Sequence, residues 1–498
     1  MESSKIIDLL KTFTITELKD FEKFLQSPYF TNGRDLTPYY KFLIKFYPEF
    51  NISKSDLIKK FFKKQSISDL KKDSLVRTYN WELLKLAEEF ITIDSVRKSK
   101  AAYDDFFIVT LLRRQLGKRS AQVYDEMIEF QESIKMDHYV FINRMFLQSN
   151  GVSVKRLNGK RSETLPLYQQ QSENLLNFFL HHAEHLLTTI KTNKSLFKTD
   201  NTSNNILSFL KSIDFEKYFN GREGFDNDLE IQKMAIYSIL IWLDEKNFEK
   251  YIFKLNDSLK NNFSNFGKEG LLHISSSILN ILDGKKEVKF IRLRFDLINY
   301  ALQNDFYFDN HYRAINTFKF KKAINVALSL NEVEWTKKFF DSYIIKLNED
   351  QQENMKIYAN AYIEFALGNF EKSLQCISSF KLFDIPTNLN IKELQIKNFY
   401  KLTLKKEEYF DTLKSFLDAF KHYLNENCKV SDTYYEIGMN FLEGVNILLN
   451  YYFPGAGKKK QDAIFSMESY KAASTNLWIE EEMNSVLIKK ASAHKKIA

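Results

Sequence analysis

The chain is poor in the residues that tight turns and sheet edges need. Its 498 residues include 14 glycines and 6 prolines, which is 20 in all or about 4 per cent, where average usage is about 12 per cent. Because hairpin turns depend on glycine and proline, this scarcity argues against a β-rich protein. The 45 phenylalanines, 26 tyrosines and 4 tryptophans supply apolar surface for a large core, which argues against disorder. The composition therefore predicts a folded, all-α protein.

Cysteine and net charge are also scarce. The two cysteines, Cys376 and Cys428, have neither metal-ligand nor disulfide spacing, so we interpret them as reduced thiols. The 72 basic and 64 acidic residues leave a net charge of +8 over the whole chain, which is a mild bias rather than a dense basic footprint. No apolar run reaches the length of a signal-peptide core or a spanning helix. We expect a soluble cytoplasmic protein that has no membrane partner.

The motifs that mark common enzymes are absent as well. The sequence has no phosphate-binding loop of the Walker type, no dinucleotide fingerprint, no nucleophile elbow and no Cys-x-x-Cys pair. We therefore predict that the protein is not an enzyme and uses no cofactor.

Helical periodicity divides the chain into four segments. Thr14 and Glu17 form a capping-box pattern ahead of the first strongly amphipathic helix. Asn158-Gly159 allows two interpretations, a short β-hairpin or a basic surface loop. The segments are an N-terminal helical unit at 1–100, a middle helical region with a long helix at 101–225, helical repeats at 226–453, and a capping helix with a tail at 454–498.

The third segment shows a period. Breaks between predicted helices lie about 38, 47, 37 and 37 residues apart. Spacings in this range, with two helices per unit, are typical of an α-solenoid, in which each helical hairpin buries its apolar face on its neighbours. The breaks fall near Lys246, Gly284, Asn331, Gly368 and Lys405.

One unit, residues 358–380, resembles the tetratricopeptide repeat. The matching positions are the small residue of the first helix, the turn glycine, the aromatic residue, the small residue of the second helix and the bulky residue after it. They are occupied by Ala361, Gly368, Phe370, Ser373 and Ile377, with Pro386 close to the closing proline. The spacing is 37 residues rather than 34, and Asn360 and Glu364 replace large apolar residues. For residues 226–453 the resemblance implies an all-α helical-hairpin solenoid, with a binding surface along the first helix of each pair. The N-terminal helical unit lies outside it.

A partner-binding groove follows from this resemblance. In the best repeat three side chains remain after the core is filled, and the next unit has two in comparable positions. They are Asn360, Tyr362, Glu364, Lys397 and Tyr400. Each polar departure is either an irregularity of packing or a contact with a ligand. We predict a non-enzymatic protein–protein interaction scaffold and expect that replacing Glu364 and Tyr400 together costs little stability.

The alternative function is nucleic-acid binding through the basic N-terminal region. Two lysine pairs recur four residues apart, with Phe61 and Phe62 on another face, and further lysines follow. The candidate contacts are Lys59, Lys60, Lys63, Lys64, Lys71 and Lys72. Such a helix could lie along phosphates, or it could be a solvated lysine face over a phenylalanine core.

Three histidines on the long helix form the last candidate site. His181 and His185 are four residues apart, as two zinc ligands would be, and His182 lies between them. No third ligand is visible nearby, and Glu184 falls off their common face. We predict packing or surface histidines and no metal.

Overall fold

The structure, a computed structural model, is helical throughout the part it describes. It describes residues 4–31, 33–63, 68–135, 140–196, 205–220, 228–308, 314–428, 432–454, 460–473 and 476–495. No β-strand occurs among these residues, so the predicted all-α class is confirmed. The chain divides into two compact units, one formed by residues 1–132 and 146–169 and the other by residues 133–145 and 170–498.

The first eleven helices cover residues 5–220 and differ widely in length. They are α1 (Lys5–Lys11), α2 (Ile15–Leu25), α3 (Thr37–Leu43), α4 (Lys54–Leu57), α5 (Asp69–Lys98), α6 (Lys100–Arg113), α7 (Gly117–Ser133), α8 (Val140–Leu157), α9 (Leu165–Leu196), α10 (Asn205–Lys211) and α11 (Phe215–Asn220). A π-helical turn, Ile58–Phe62, continues α4.

The N-terminal helices pack around aromatic rings. The predicted capping box is present: Glu17 N donates to Thr14 Oγ1 over 3.2 Å, and Thr14 N donates to Glu17 Oε2 over 2.8 Å. This box starts α2, whose Phe21 is fully buried. The ring of Phe21 lies 5.0 Å from that of Tyr40 and 5.3 Å from that of Phe90. Edge-to-face and tilted contacts of this kind join α2, α3 and α5 into one core.

The hairpin interpretation of Asn158-Gly159 is wrong. Helix α8 runs to Leu157, and Gly159 takes a φ of 74°. Lys160 N donates to Lys155 O over 2.8 Å, which closes the helix end. A glycine in the left-handed region ends a helix as readily as it turns a hairpin, and the flanking alternation is too short to distinguish them.

The next twelve helices form six successive packed pairs, and α24 follows them. They are α12 (Asp228–Leu243), α13 (Phe248–Asn261), α14 (Lys268–Ile281), α15 (Val288–Gln303), α16 (Thr317–Ser329), α17 (Val333–Tyr343), α18 (Glu349–Ala366), α19 (Phe370–Ile377), α20 (Ile385–Thr403), α21 (Phe410–Asn427), α22 (Asp432–Tyr452), α23 (Lys460–Ala473) and α24 (Leu477–Lys495). We call α12, α14, α16, α18, α20 and α22 the first helices.

Each of the five predicted breaks lies between the two helices of a pair. Three of them use a left-handed residue, namely Gly284, Asn331 and Gly368, with φ values of 77°, 59° and 78°. Within the pairs, α16 packs on α17, α18 on α19 and α20 on α21, and alternate helices also meet, α16 with α18, α18 with α20 and α20 with α22. A face of the first helices is therefore shared by consecutive pairs.

Buried hydrogen bonds connect neighbouring pairs. Ser373 Oγ, on α19, donates to Ala361 O on α18 over 2.8 Å. Asn398, on α20, donates from Nδ2 to Ser373 Oγ over 2.9 Å and to Leu394 O over 2.8 Å. Serine at the small position of the second helix therefore links three helices as well as leaving room for close packing.

The helices and the two cysteines can be compared with what the sequence predicts about membrane spans and disulfides. Among the described residues, no helix combines the length and apolar character needed to cross a bilayer. Cys376 is half-buried and Cys428 is buried, and neither forms a disulfide.

Candidate binding pocket

The predicted groove residues of the best repeat do not share one environment. Asn360 is exposed on α18. Tyr362 is half-buried; its ring lies 4.6 Å from that of Tyr358, and its hydroxyl donates to Asn390 O over 3.2 Å. Burial raises the pKa of Tyr362 well above its ordinary value. Glu364 accepts a 2.8 Å hydrogen bond from Asn369 Nδ2, which steadies the turn between α18 and α19.

The two groove residues of the next unit are covered. Tyr400 is fully buried, with its ring 5.4 Å from that of Trp478 on α24. Lys397 Nζ lies 3.9 Å from Glu393 Oε2 and 5.5 Å from the Trp478 ring. Burial lowers the pKa of Lys397 and raises that of Glu393. The expectation that Tyr400 is exposed in the groove is wrong, because α24 lies against this part of α20.

A different part of the first-helix face is open. A cavity of about 680 Å³ is lined from α12 by Trp242, from α14 by Asn280, from α16 by Phe318, from α20 by Pro386 and from α22 by Tyr434. Five of the first helices therefore contribute to one pocket. Its size falls in the range of ligand-binding cavities, about 300 to 1,000 Å³.

Cations dominate the charged lining of this pocket. They are Lys191 from α9, Lys285 from the α14–α15 turn, Arg294 from α15, and Lys321 and Lys322 from α16. Asp283 is the only carboxylate among the described residues that line it. Asp384 reaches one of the cations from the start of α20, with its Oδ1 3.8 Å from Lys321 Nζ.

Three of the cations are largely withdrawn from water. The side chains of Lys321, Lys322 and Arg294 are only 7, 9 and 12 per cent exposed. Lys322 Nζ lies 3.3 Å from Asp283 Oδ2, and the guanidinium of Arg294 lies 3.5 Å from Asp283 Oδ1. Burial lowers the pKa of all three cations, and the neighbouring carboxylates oppose that shift.

Arg294 retains a donor for a further acceptor. One terminal nitrogen donates to Lys285 O over 3.1 Å, whereas its buried Nε has no hydrogen-bond partner among the described residues. Buried donors are nearly always satisfied in folded proteins. The pocket therefore offers a concentrated positive field to an anion.

The sequence pattern does not single out these cations, although one of them breaks an apolar stripe. Lys321 lies three residues before Ile324, a position on the apolar side of α16, and it is buried there. In a chain rich in lysine, one lysine on an apolar stripe is a weak signal. The convergence of α9, α15 and α16 depends on tertiary packing, which the local pattern does not encode.

A second cavity, of about 720 Å³, lies on the same unit. Its described lining includes Glu269, His273 and Lys319, so charges of both signs are balanced there. We therefore regard the cationic pocket as the stronger candidate binding site.

The N-terminal lysines lie in two environments. Lys59, Lys60, Lys63 and Lys71 are exposed, whereas Lys72 is half-buried, with Nζ 3.3 Å from Asp69 Oδ1. Lys64 lies outside the described residues. The π-helical turn Ile58–Phe62 alters the α-helical register assumed for the lysine pairs. Phe62 is buried with its ring 5.2 Å from that of Tyr79, as in a lysine face over a phenylalanine core.

The three histidines of α9 lie beside aromatic rings. The His181 ring stacks on Phe141 at 5.2 Å and the His182 ring on Phe178 at 5.4 Å. The His185 ring lies 5.0 Å from that of His273 on α14. Within the described residues, no group of three or more histidine, cysteine or acidic side chains is arranged to hold a metal ion.

Glu184, which the sequence places off the histidine face, forms the centre of a buried network. Its Oε1 accepts from Ser238 Oγ over 2.7 Å, from Ser277 Oγ over 2.8 Å and from Thr188 Oγ1 over 3.2 Å. Its Oε2 lies 3.7 Å from His273 Nε2. Burial alone would raise the pKa of Glu184, but His273 and the hydroxyl donors lower it below its ordinary value. The network joins α9, α12 and α14, which is a structural role.

No protein-family model matches the chain, and no curated protein or solved structure is similar to it, so the charges and shape of the cationic pocket carry the functional inference.

Proposed function

We propose that residues 226–453 form a tetratricopeptide-like α-solenoid and that the protein is a non-enzymatic, cytoplasmic interaction scaffold. Its ligand is an acidic segment of a partner protein, held on the face of the first helices. The observation that carries this proposal is the cationic pocket, because five first helices contribute to it. A surface shared by several repeats is the usual binding surface of helical arrays.

The rim of the pocket supports a protein ligand. Phe318, on α16, is 55 per cent exposed although it is a large apolar residue. Pro386, which is half-buried, adds further apolar surface. An acidic segment with apolar flanks would place its carboxylates among the cations and its flanks on this rim.

Site-specific photo-cross-linking tests the proposal. A photoreactive phenylalanine analogue placed at position 318 should cross-link to a protein in an extract of the source cells. The matched control is the same analogue at Phe465 on α23, which is 71 per cent exposed but is not among the lining residues. We expect a cross-linked protein at position 318 only.

Charge reversal completes the test. Lys191→Glu with Lys285→Glu should abolish the cross-link from position 318, whereas Lys338→Glu with Lys372→Glu, on exposed positions of α17 and α19, should leave it intact. A cross-link that survives reversal of the pocket lysines, or that forms equally from position 465, would refute the proposal.

Nucleic-acid binding through the N-terminal lysines is the second candidate function. Its support is the exposure of Lys59, Lys60, Lys63 and Lys71. Acidic neighbours reduce the positive charge of this region, because Asp73 contacts Lys54 and lies 2.9 Å from Arg77. Retention on heparin at rising salt, compared between the wild type and a variant with Lys59, Lys60 and Lys63 changed to Ala, tests it. Identical elution of the two proteins would exclude this function.

A further inference from the structure

We propose that the cationic pocket recognises a phosphate monoester on a side chain of the partner protein, and not a carboxylate alone. This inference rests on the proposed function, since it names the group that anchors the acidic segment. The pocket would then make binding depend on phosphorylation of the partner.

The balance of charge in the pocket favours a dianion. Five cations face two carboxylates, Asp283 and Asp384, which leaves an excess of three positive charges. A single carboxylate would offset only one of them. A phosphate monoester carries a charge of about −1.5 to −2 at pH 7, so it neutralises most of the excess in one compact group.

Burial of the cations favours a group that accepts many hydrogen bonds. Lys321, Lys322 and Arg294 are largely shielded from water, so an anion that reaches them loses its own hydration. The three acceptor oxygens of a phosphate can replace it with charge-assisted bonds. Arginine is suited to this role because its planar fork presents several donors to phosphate oxygens. Arg294 is among the residues that line the pocket.

The arrangement of the cations favours a phosphoprotein over a nucleic acid. A nucleic-acid strand carries one phosphate per nucleotide, so its binding sites place cations along a track. Here the cations of α9, α15 and α16 converge on one cavity, and its rim is apolar at Phe318 and Pro386. One phosphate flanked by apolar side chains matches this distribution.

Degenerate peptide libraries provide the test. Immobilised libraries with a fixed central phosphoserine, phosphothreonine or phosphotyrosine are compared with libraries that have Glu, or unmodified Ser, at the centre. We expect at least one phosphorylated library to retain the full-length protein about tenfold better than the Glu library, because a phosphate carries a larger charge than a carboxylate and three acceptor oxygens. Lys191→Glu with Lys285→Glu should remove this preference, and Lys338→Glu with Lys372→Glu should preserve it.

A milder variant and two polyanionic competitors distinguish phosphate recognition from loss of folding and from general polyanion binding. Lys191→Gln with Lys285→Gln, a milder pair, should reduce the preference without altering the circular dichroism spectrum, which excludes loss of folding as the cause. Tripolyphosphate and a 20-nucleotide RNA serve as competitors. Soluble phosphorylated library serves as the reference competitor. If tripolyphosphate or the RNA displaces the protein from the immobilised phosphorylated library at the same concentration as this reference, the proposal is overturned in favour of a general polyanion site.

Failure of this inference differs from failure of the proposed function. Equal retention on the phosphorylated and Glu libraries would overturn phosphate recognition, yet a charge-dependent cross-link from position 318 would still support a protein-binding surface. Absence of a cross-link from position 318 when the pocket lysines are intact, or its survival after their reversal, would instead refute the proposed function.

Discussion

The N-terminal core and the core of the helix pairs differ in how many polar side chains they bury. Among the described residues of α1–α5, Thr37 is the only buried polar side chain, and aromatic rings fill the interior. The region from α9 to α20 buries Glu184, Lys321, Ser373 and Asn398. Both regions are helical, so helix formation does not account for the difference.

The difference concerns how specifically each region is held in place. Apolar contacts are favourable in many arrangements, and dense aromatic packing selects among them by shape. Buried polar groups are costly unless each finds its partner, so they favour one register. Repeated helix pairs resemble one another and could slip, and hydrogen bonds such as that between Asn398 and Ser373 disfavour a shifted pairing.

Removing a ring from the N-terminal core should have the largest effect. Phe21→Ala should lower the free energy of unfolding by about 3 to 5 kcal/mol, since it leaves a cavity among four aromatic neighbours. Urea denaturation measures the loss, and hydrogen exchange should locate it in α1–α5. Phe106→Ala, at a position that is 70 per cent exposed, is the control. A similar loss in both variants would contradict the aromatic-core description.

The Glu184 network should make the stability of the second unit depend on pH. The pKa of Glu184 is below its ordinary value of 4.5, so its ionised form stabilises the fold above pH 4.5. That contribution disappears as the pH falls through the folded-state pKa. Glu184→Gln should therefore cost about 2 kcal/mol at pH 7, the scale of hydrogen bonds to a charged group, and less at pH 3.

Urea denaturation of the wild type and Glu184→Gln at both pH values measures this effect. Glu173→Gln, at an exposed position on α9, is the matched control. A difference between Glu184→Gln and the wild type that is the same at pH 7 and pH 3 would show that the pKa of Glu184 is not lowered in the folded protein.

Breaking the link between neighbouring pairs should have a smaller effect. Ser373→Ala removes the bond to Ala361 O and deprives the buried Asn398 of one of its two acceptors, which should cost about 1 to 3 kcal/mol. Ser378→Ala, at an exposed position, should change stability by less than about 0.5 kcal/mol. Thermal unfolding measures both, and equal shifts would mean that the buried link adds nothing.

The smallest effect, with the opposite sign, is expected at Tyr400. Its buried hydroxyl has no hydrogen-bond partner among the described residues, so Tyr400→Phe should be neutral or stabilising by up to about 1 kcal/mol. Tyr358→Phe should destabilise, because the Tyr358 hydroxyl and Asn325 lie within hydrogen-bonding distance, 2.9 Å. Destabilisation of Tyr400→Phe in urea denaturation would indicate an unrecognised partner of this hydroxyl.

Several local features were predictable because they depend on neighbours in the chain. The capping box at Thr14 and the five breaks between paired helices follow from short patterns of polar, apolar and turn residues. Gly159 shows the limit of such patterns. The same left-handed glycine serves a hairpin or a helix end, and only the hydrogen bonds of the folded chain distinguish them.

The environments of Tyr400 and Lys321 depend on distant residues. Tyr400 is buried because Trp478, on a helix almost eighty residues later, packs on it; the sequence predicts that helix as a cap but not the surface it covers. Lys321 belongs to a cationic pocket because α9, α15 and α16 converge. Helix formation and pair boundaries are determined within a few turns of chain, whereas the contacts of a side chain are decided by which distant helix packs against it.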